Sequence, residues 1–223
     1  MIKGVCVVIP AYEEEERIGK VVERVKKIKG IQEVVVVDDG SGDRTGEVAR
    51  KAGATVITHT RNQGKGKALL TGFRYALQKN YSGVITMDGD GQHLPEEIPR
   101  FLKIRKEADI VVGCRMANPH DMPRIRYFTN LLTSFLTSLL AGRRIRDSQS
   151  GFRWIARKVL EELRLEAGRF DIESELLIKA GKKGFRIKEI PITSVYLPDS
   201  VKKSKISPLR DTLRFLSLIW RNI

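Results

Sequence analysis

An α/β fold, a mostly parallel sheet flanked by helices, is predicted from three observations. Short apolar runs, Val5–Ile9, Val34–Val37 and Val84–Met87 among them, alternate with segments whose apolar residues recur at helical spacing. The runs are continuous, as in strands covered on both faces. Two of them stop abruptly at acids, Asp38-Asp39 and Asp88-Gly89-Asp90, and the carboxyl ends of parallel strands are where such sheets bind ligands.

The 223 residues suffice for one large domain, and 41% apolar content allows a sizeable core. A net charge of +14 favours anionic partners. Cys6 and Cys114 lie in apolar runs, as buried thiols of a reducing compartment would. Met1 to Gly4 lead straight into a strand, without a visible signal peptide. Abundant Lys, Arg and Glu suit a thermophile.

In chain order, Val5–Ile9 is a strand ended by Pro10-Ala11-Tyr12. Ile18, Val21, Val22, Val25 and Ile28 predict a helix from Glu14 to Ile28, with Glu13 to Glu16 in a first turn where the dipole favours anions. Val34–Val37 follows, then a helix from Arg44 to Ala52 that Asp43 or Ser41 can cap. Asp38 and Asp39 lie too early to cap, and can accept hydrogen bonds from a base edge or ribose hydroxyls. After the strand Thr55–Thr58, the loop Arg61–Lys67, with Gly64, Gly66 and Lys67, precedes a helix through Lys79. A glycine-spaced basic loop there suits phosphate as well as it suits solvent, and it is not a Walker loop.

Val84–Met87 is the fourth strand. Asp88 and Asp90, two residues apart, project to one side of an extended segment. Their hard oxygens suit Mg2+ or Mn2+, with Gln92 and His93 adding a neutral oxygen and an imidazole. Gly89 and Gly91 allow a tight turn and close approach of a ligand. Leu94-Pro95 starts a helix, and Asp109–Gly113 is a strand ending at Cys114-Arg115. The first half thus reads β-α-β-α-β-α-β-α-β.

The second half differs. Tyr127 to Gly142 is 16 residues without a charge, an amphipathic helix over about residues 124–142. It is shorter than the roughly 20 residues of a membrane span. Arg124 and Arg126 precede it and Arg143, Arg144 and Arg146 follow, so a core helix and an interface with anionic lipid both fit. Asp147 to Trp154 is a polar, glycine-bearing loop before another helix; Phe170 to Glu175 opens a further helix; Phe185 to Tyr196 makes one or two strands broken by Pro191. Residues 1–200 form one domain. The tail, 201–223, is basic and amphipathic, with the stripe Leu209, Leu213, Leu216 and Trp220 beside Arg210, Arg214 and Arg221; it suits a docked helix or a membrane-surface element equally.

Five motifs stand in order: Pro10-Ala11-Tyr12-Glu13-Glu14, Val37-Asp38-Asp39-Gly40-Ser41-Gly42-Asp43, Gly64-Lys65-Gly66, Met87-Asp88-Gly89-Asp90-Gly91-Gln92-His93 and Asp147-Ser148-Gln149-Ser150-Gly151-Phe152-Arg153. Over nearly its whole length the chain resembles a family 2 glycosyltransferase of the GT-A fold, and more narrowly the polyprenyl- or dolichyl-phosphate sugar synthases. Glu13 stands where that family usually has Asn. The resemblance implies that Pro10, Ala11, Tyr12, Glu14, Asp38 and Asp39 line the nucleotide, with Gly66, Lys67, Asp88 and Gly89. It implies that Asp88, Asp90 and Gln92 hold Mg2+ or Mn2+ and the sugar diphosphate, and that Arg115 and Arg126 grip the acceptor phosphate near Ser150 and Arg153. The implied reaction is inverting hexose transfer from GDP-mannose or UDP-glucose to a polyprenyl or dolichyl phosphate, peripherally on the cytoplasmic face of a membrane. A sugar-hydroxyl acceptor is the alternative; it needs a base, for which Asp147 is the candidate. Nucleic-acid binding fits less well, because the basic residues cluster around apolar helices rather than aromatic platforms.

Overall fold

A computed structural model of the chain describes residues 3–117, 122–166 and 172–195. Seven strands form one sheet: β1 (Lys3–Ala11), β2 (Ile31–Asp38), β3 (Thr55–Thr58), β4 (Tyr81–Thr86), β5 (Ile110–Cys114), β6 (Arg153–Ala156) and β7 (Ile187–Pro191). Their order is β3-β2-β1-β4-β6-β5-β7. All neighbours are parallel except β6, which runs antiparallel to β4 and β5.

The strand period of two separates the core into two layers. Val5, Val7 and Ile9 of β1 pack with α1 (Ile18–Lys26), α2 (Thr45–Lys51) and α4 (Ile98–Ile104). Cys6 and Val8 face the opposite layer, with α3 (Lys65–Gln78), α6 (Arg157–Glu162) and α7 (Ile172–Lys182). Both faces are covered, which is why the strands read as unbroken apolar runs. Burial pushes the Cys6 thiol up to about 12 and the Cys114 thiol to about 11.

Strand order reverses between β1 and β4, and the cleft opens there. The β1–β4 register ends at Val8 with Thr86, while β1 continues beside β2 to Ala11 with Asp38. Pro10, lacking an N–H, sits just past the last β4 partner, where a central strand no longer needs that donor.

Two expectations are corrected. Helix α1 begins at Ile18, not Glu14, so Glu13 to Glu16 occupy the connector instead of a helical first turn. The Glu14 and Glu15 N–H groups donate to the Thr45 hydroxyl and the Asp43 carboxylate, which draws the connector onto the start of α2. Asp43 also accepts from the Thr45 N–H, in keeping with its expected place at that helix start. Arg153–Ala156, expected within a loop-to-helix segment, is the strand β6; four residues show no period, and pairing with β4 and β5 fixes them.

Helix α5 (Arg124–Ala141) forms where expected, and of the two readings left open for it the core helix does not hold. Its buried residues are Asn130, Ser134, Thr137 and Ala141. Its large apolar residues point outward: Ile125 is 71% exposed, Phe128 64%, Phe135 65% and Leu139 70%. Among the described residues no helix is long and apolar enough to cross a membrane. The expected tail helix, Tyr196 and the opening Phe170-Asp171 lie outside the described residues.

Gly83 in β4 has no room for a side chain, because a Cβ there would overlap the Trp154 ring and the Ile155 carbonyl oxygen. Gly83→Ala is expected to cost about 1–3 kcal/mol, read as a lower urea midpoint. An unchanged midpoint would mean that β6 moves aside without strain.

Candidate active site

The cleft gathers the ends of β1, β2 and β4. At β2 the acids are turned into the fold. Asp39 Oδ1 accepts the Gln63 N–H at 3.0 Å and lies 2.7 Å from His59 Nδ1; Oδ2 accepts the Gly64 N–H at 2.7 Å. Asp38 Oδ1 accepts the Ser41 N–H, and a Cβ on Gly46 would collide with Oδ2. Both are buried. Besides the expected contacts with base and ribose, these carboxylates shape the loops that border the cleft. Gly40 lies in the left-handed region at φ 73° with the Arg61–Asn62 backbone directly against it, so only glycine fits.

At β4 the acids meet a lysine. Lys65 Nζ, at the start of α3, lies 2.6 Å from Asp88 Oδ1 and 2.8 Å from Glu173 Oε1 of α7. Burial works against the Asp88 charge, but Lys65 outweighs it and holds the carboxyl at about 2. Asp90 differs: burial, then the Asp88 charge, lift it to about 6, with Glu14 adding to the effect. Its Oδ1 accepts the Gln92 N–H. Gly91 turns this loop at φ 77°, whereas Gly89 has no positive φ. A side chain on Gly151 would press on both Asp88 oxygens and on Lys65 Nζ. Lys67, the lysine expected at the phosphates, is exposed, and Gly66 is buried in α3. Lys65 enters the cleft instead. His93 is buried against Phe152, accepts the Asp88 N–H on Nδ1, and is pushed down to about 4 by burial, so it is a neutral brace for the turn.

At β5, Arg115 is held by Asp147. Asp147 is wholly buried and accepts the Arg115 N–H at 2.9 Å, Nε at 2.9 Å, Nη2 at 2.8 Å and Asn130 Nδ2 at 2.8 Å. Burial raises its pKa, yet Arg115 outweighs this and holds it at about 2. Arg126 lies on α5 one turn before Asn130, hence on the same helix face. Ser150 and Arg153, expected near the acceptor phosphate, lie inside the protein. Ser150 is fully buried and its hydroxyl accepts the Phe152 N–H. Arg153 is buried too, donating to the carbonyls of Ser150, Glu173 and Ser148. Burial lowers the Arg153 guanidinium to about 10.

Sequence reasoning missed Glu173 and Asn130. Glu173 lies in a helix opening and Asn130 in the uncharged run of α5, and no linear spacing ties either to the cleft. Among the described residues no three His, Cys, Asp or Glu side chains form a metal cluster. Asp88, Asp90 and the Gln92 side chain still fit a divalent ion that shares its coordination with a substrate. The donors are hard oxygens, and the raised Asp90 marks crowded negative charge that a cation relieves.

Residues 6–164 match the family model Glycosyl transferase family 2. The chain is similar to a UDP-N-acetylglucosamine–dolichyl-phosphate N-acetylglucosaminyltransferase of Methanococcus voltae, 33% identical over 90% of this chain and 89% of that protein. It is 32% identical to a polyprenol monophosphomannose synthase of Mycolicibacterium smegmatis, over 93% of this chain and 83% of that one. Among solved structures it resembles glucosyl-3-phosphoglycerate synthase of Mycobacterium tuberculosis, with TM-score 0.74, 20% identity, and 97% and 80% of the two chains covered. That enzyme has been solved with Mn2+, uridine diphosphate and glucosyl-3-phosphoglycerate.

Because the Asp147 pKa is depressed to about 2, its pair with Arg115 contributes stability above the unfolded carboxylate value, near 4, and loses it as pH falls towards 2. The stability difference between wild type and Asp147→Asn, about 2 kcal/mol, is therefore expected to be flat from pH 5 to 8 and to shrink below pH 4 in denaturant titrations. A difference that changes between pH 5 and 8 would refute the depressed pKa.

Proposed function

The chain belongs to glycosyl transferase family 2, and from that premise we propose that it moves a hexose from a nucleoside diphosphate sugar to a polyprenyl or dolichyl phosphate at a membrane surface. The observation that carries this reading is the Arg115–Asp147 pair. A hydroxyl acceptor needs a base, and Asp147 was the candidate. Its carboxylate accepts four hydrogen bonds and sits at about 2, so it takes no proton at neutral pH. A phosphate acceptor is already an anion and asks only for positioning and charge stabilisation. A guanidinium with its plane fixed by a buried carboxylate suits that task.

In this mechanism an acceptor phosphate oxygen attacks the sugar C1 in line. The new C1–O bond forms as the bond to the β-phosphate oxygen breaks, with inversion, and the nucleoside diphosphate leaves. Arg115 and Arg126 hold the acceptor phosphate. Pro10, Ala11 and Tyr12 border the nucleotide at the end of β1. Asp88, Asp90 and Gln92 would hold Mg2+ or Mn2+, which when bound neutralises the leaving diphosphate. Lys65 carries a positive charge, raised by Asp88 and Glu173 against the cost of burial, into the same corner.

The membrane part of the proposal is supported by α5. Its exposed apolar residues form one outward face, and Arg124, Arg144 and Arg146 are exposed at its two ends. Apolar side chains bracketed by arginines suit the boundary of an anionic leaflet, here the cytoplasmic one. The donor is proposed as GDP-mannose or UDP-glucose.

With Mg2+ or Mn2+, a polyprenyl phosphate and a panel of labelled nucleotide sugars, label from one donor is expected in the organic phase. Release of nucleoside diphosphate only when soluble sugars are added would move the acceptor to a hydroxyl. In the same assay Arg115→Ala should lower turnover at least tenfold while nucleotide affinity stays within about twofold; equal losses in both would remove Arg115 from the acceptor side. Phe128→Glu with Phe135→Glu is expected to abolish co-sedimentation with anionic vesicles. Sedimentation like that of wild type would exclude α5 as the docking face.

A further inference from the structure

Helix α5 presents two unlike faces. The outward one is apolar, while the inward one carries Asn130 and Ser134, one helical turn apart and both buried. The Asn130 amide is satisfied at both ends. Its Nδ2 donates to Asp147 Oδ1 at 2.8 Å, and its Oδ1 accepts the Ser134 hydroxyl at 2.9 Å. Ser134 in turn accepts the Ser148 N–H at 2.9 Å, which ties the helix to the loop that bears Asp147. The amide therefore cannot flip without losing partners on both sides.

Asp147 holds Arg115 through Nε on one carboxylate oxygen and Nη2 on the other. Such a two-point pair fixes the guanidinium plane only while the carboxylate plane is itself fixed. The Arg115 backbone N–H pins only Oδ2, so the guanidinium and Oδ1 can still swing together about that point. The Asn130 donor approaches from a separate element and removes this freedom. Buried networks with every member satisfied specify one geometry in this way.

We propose that Asn130 is a positioning residue for Arg115: by orienting the Asp147 carboxylate it sets the plane of the guanidinium that meets the acceptor phosphate, and it ties that plane to the helix whose other face is apolar and exposed. The proposal rests on the lipid-phosphate reading for its substrate, but not for its geometry. Asn130→Leu keeps the approximate volume and removes the donor. The KM for polyprenyl phosphate should rise roughly tenfold, while nucleoside diphosphate affinity by calorimetry stays within about twofold. Asn130→Asp, which sets a second carboxylate beside Asp147, should be worse. A merely structural role would move thermal midpoint, donor affinity and acceptor KM together.

A second readout needs no substrate. In the wild type the Arg115 Nε–H should exchange slowly with solvent, and in Asn130→Leu at least about tenfold faster. Should Asn130→Leu fail to fold, Ser134→Ala, which loosens the amide from its other end, carries the same pair of measurements with a smaller shift. A folded variant with unchanged acceptor KM and unchanged Nε–H exchange overturns the proposal. Faster exchange in a protein whose wild type makes no lipid-linked product upholds the positioning role, and it is then the acceptor reading that falls.

Discussion

Arg153 lies wholly inside the protein, and its guanidinium reaches three backbone carbonyls, those of Ser148, Ser150 and Glu173. A buried cation is costly unless its donors are used, and a buried carbonyl left without a partner costs about 1–3 kcal/mol. The two needs are met by each other. The loop from Asp147 to Gly151 has to curl around Arg153 for this, and the curl brings Asp147 to Arg115 and Gly151 against Asp88. Strand β6, running opposite to its neighbours, delivers Arg153 to that place from between β4 and β5. Both sides of the cleft thus take their shape from one buried side chain.

The charges in the cleft are arranged in two pairs with different characters. Asp88 with Lys65 and Asp147 with Arg115 are paired acids, held ionised despite burial. Asp90 forms no ion pair among the described residues, and its carboxyl is raised by burial and by Asp88 in spite of Lys65. Under the proposed reaction, a carboxylate short of a counter-charge suits a cation that arrives with substrate. The arginine end is prepared for an anion. The proposed reaction joins an anionic acceptor to a donor whose leaving group gains charge, and that polarity matches the charges across the cleft.

Much of this was legible beforehand. The five alternating strands and helices of the first half, the strand-end acids and the amphipathic helix after residue 123 follow from residue spacing and from the abrupt end of apolar runs at polar residues. Partners were not legible. Asp39 and Asp88 are both strand-end acids, yet one braces a loop and the other faces a lysine, since His59, Gln63 and Gly64 happen to reach Asp39. Lys65 and Lys67 differ by two positions on a helix, a rotation of about 200°, which sends one inward and the other to solvent.

Local sequence determined which segments are strands and helices, because side-chain period and turn residues act over a few neighbours. It also determined, through five motifs, the family to which the chain belongs. Only the tertiary structure decided which face of α5 is buried. A rule of apolar inside and polar outside would bury Phe128 and Leu139, but Asn130 and Ser134 have partners on Asp147 and Ser148 that the apolar face cannot replace. Contacts between residues far apart in the chain outweighed the helix's own pattern there, and the same contacts fix Arg115 beside Asp147.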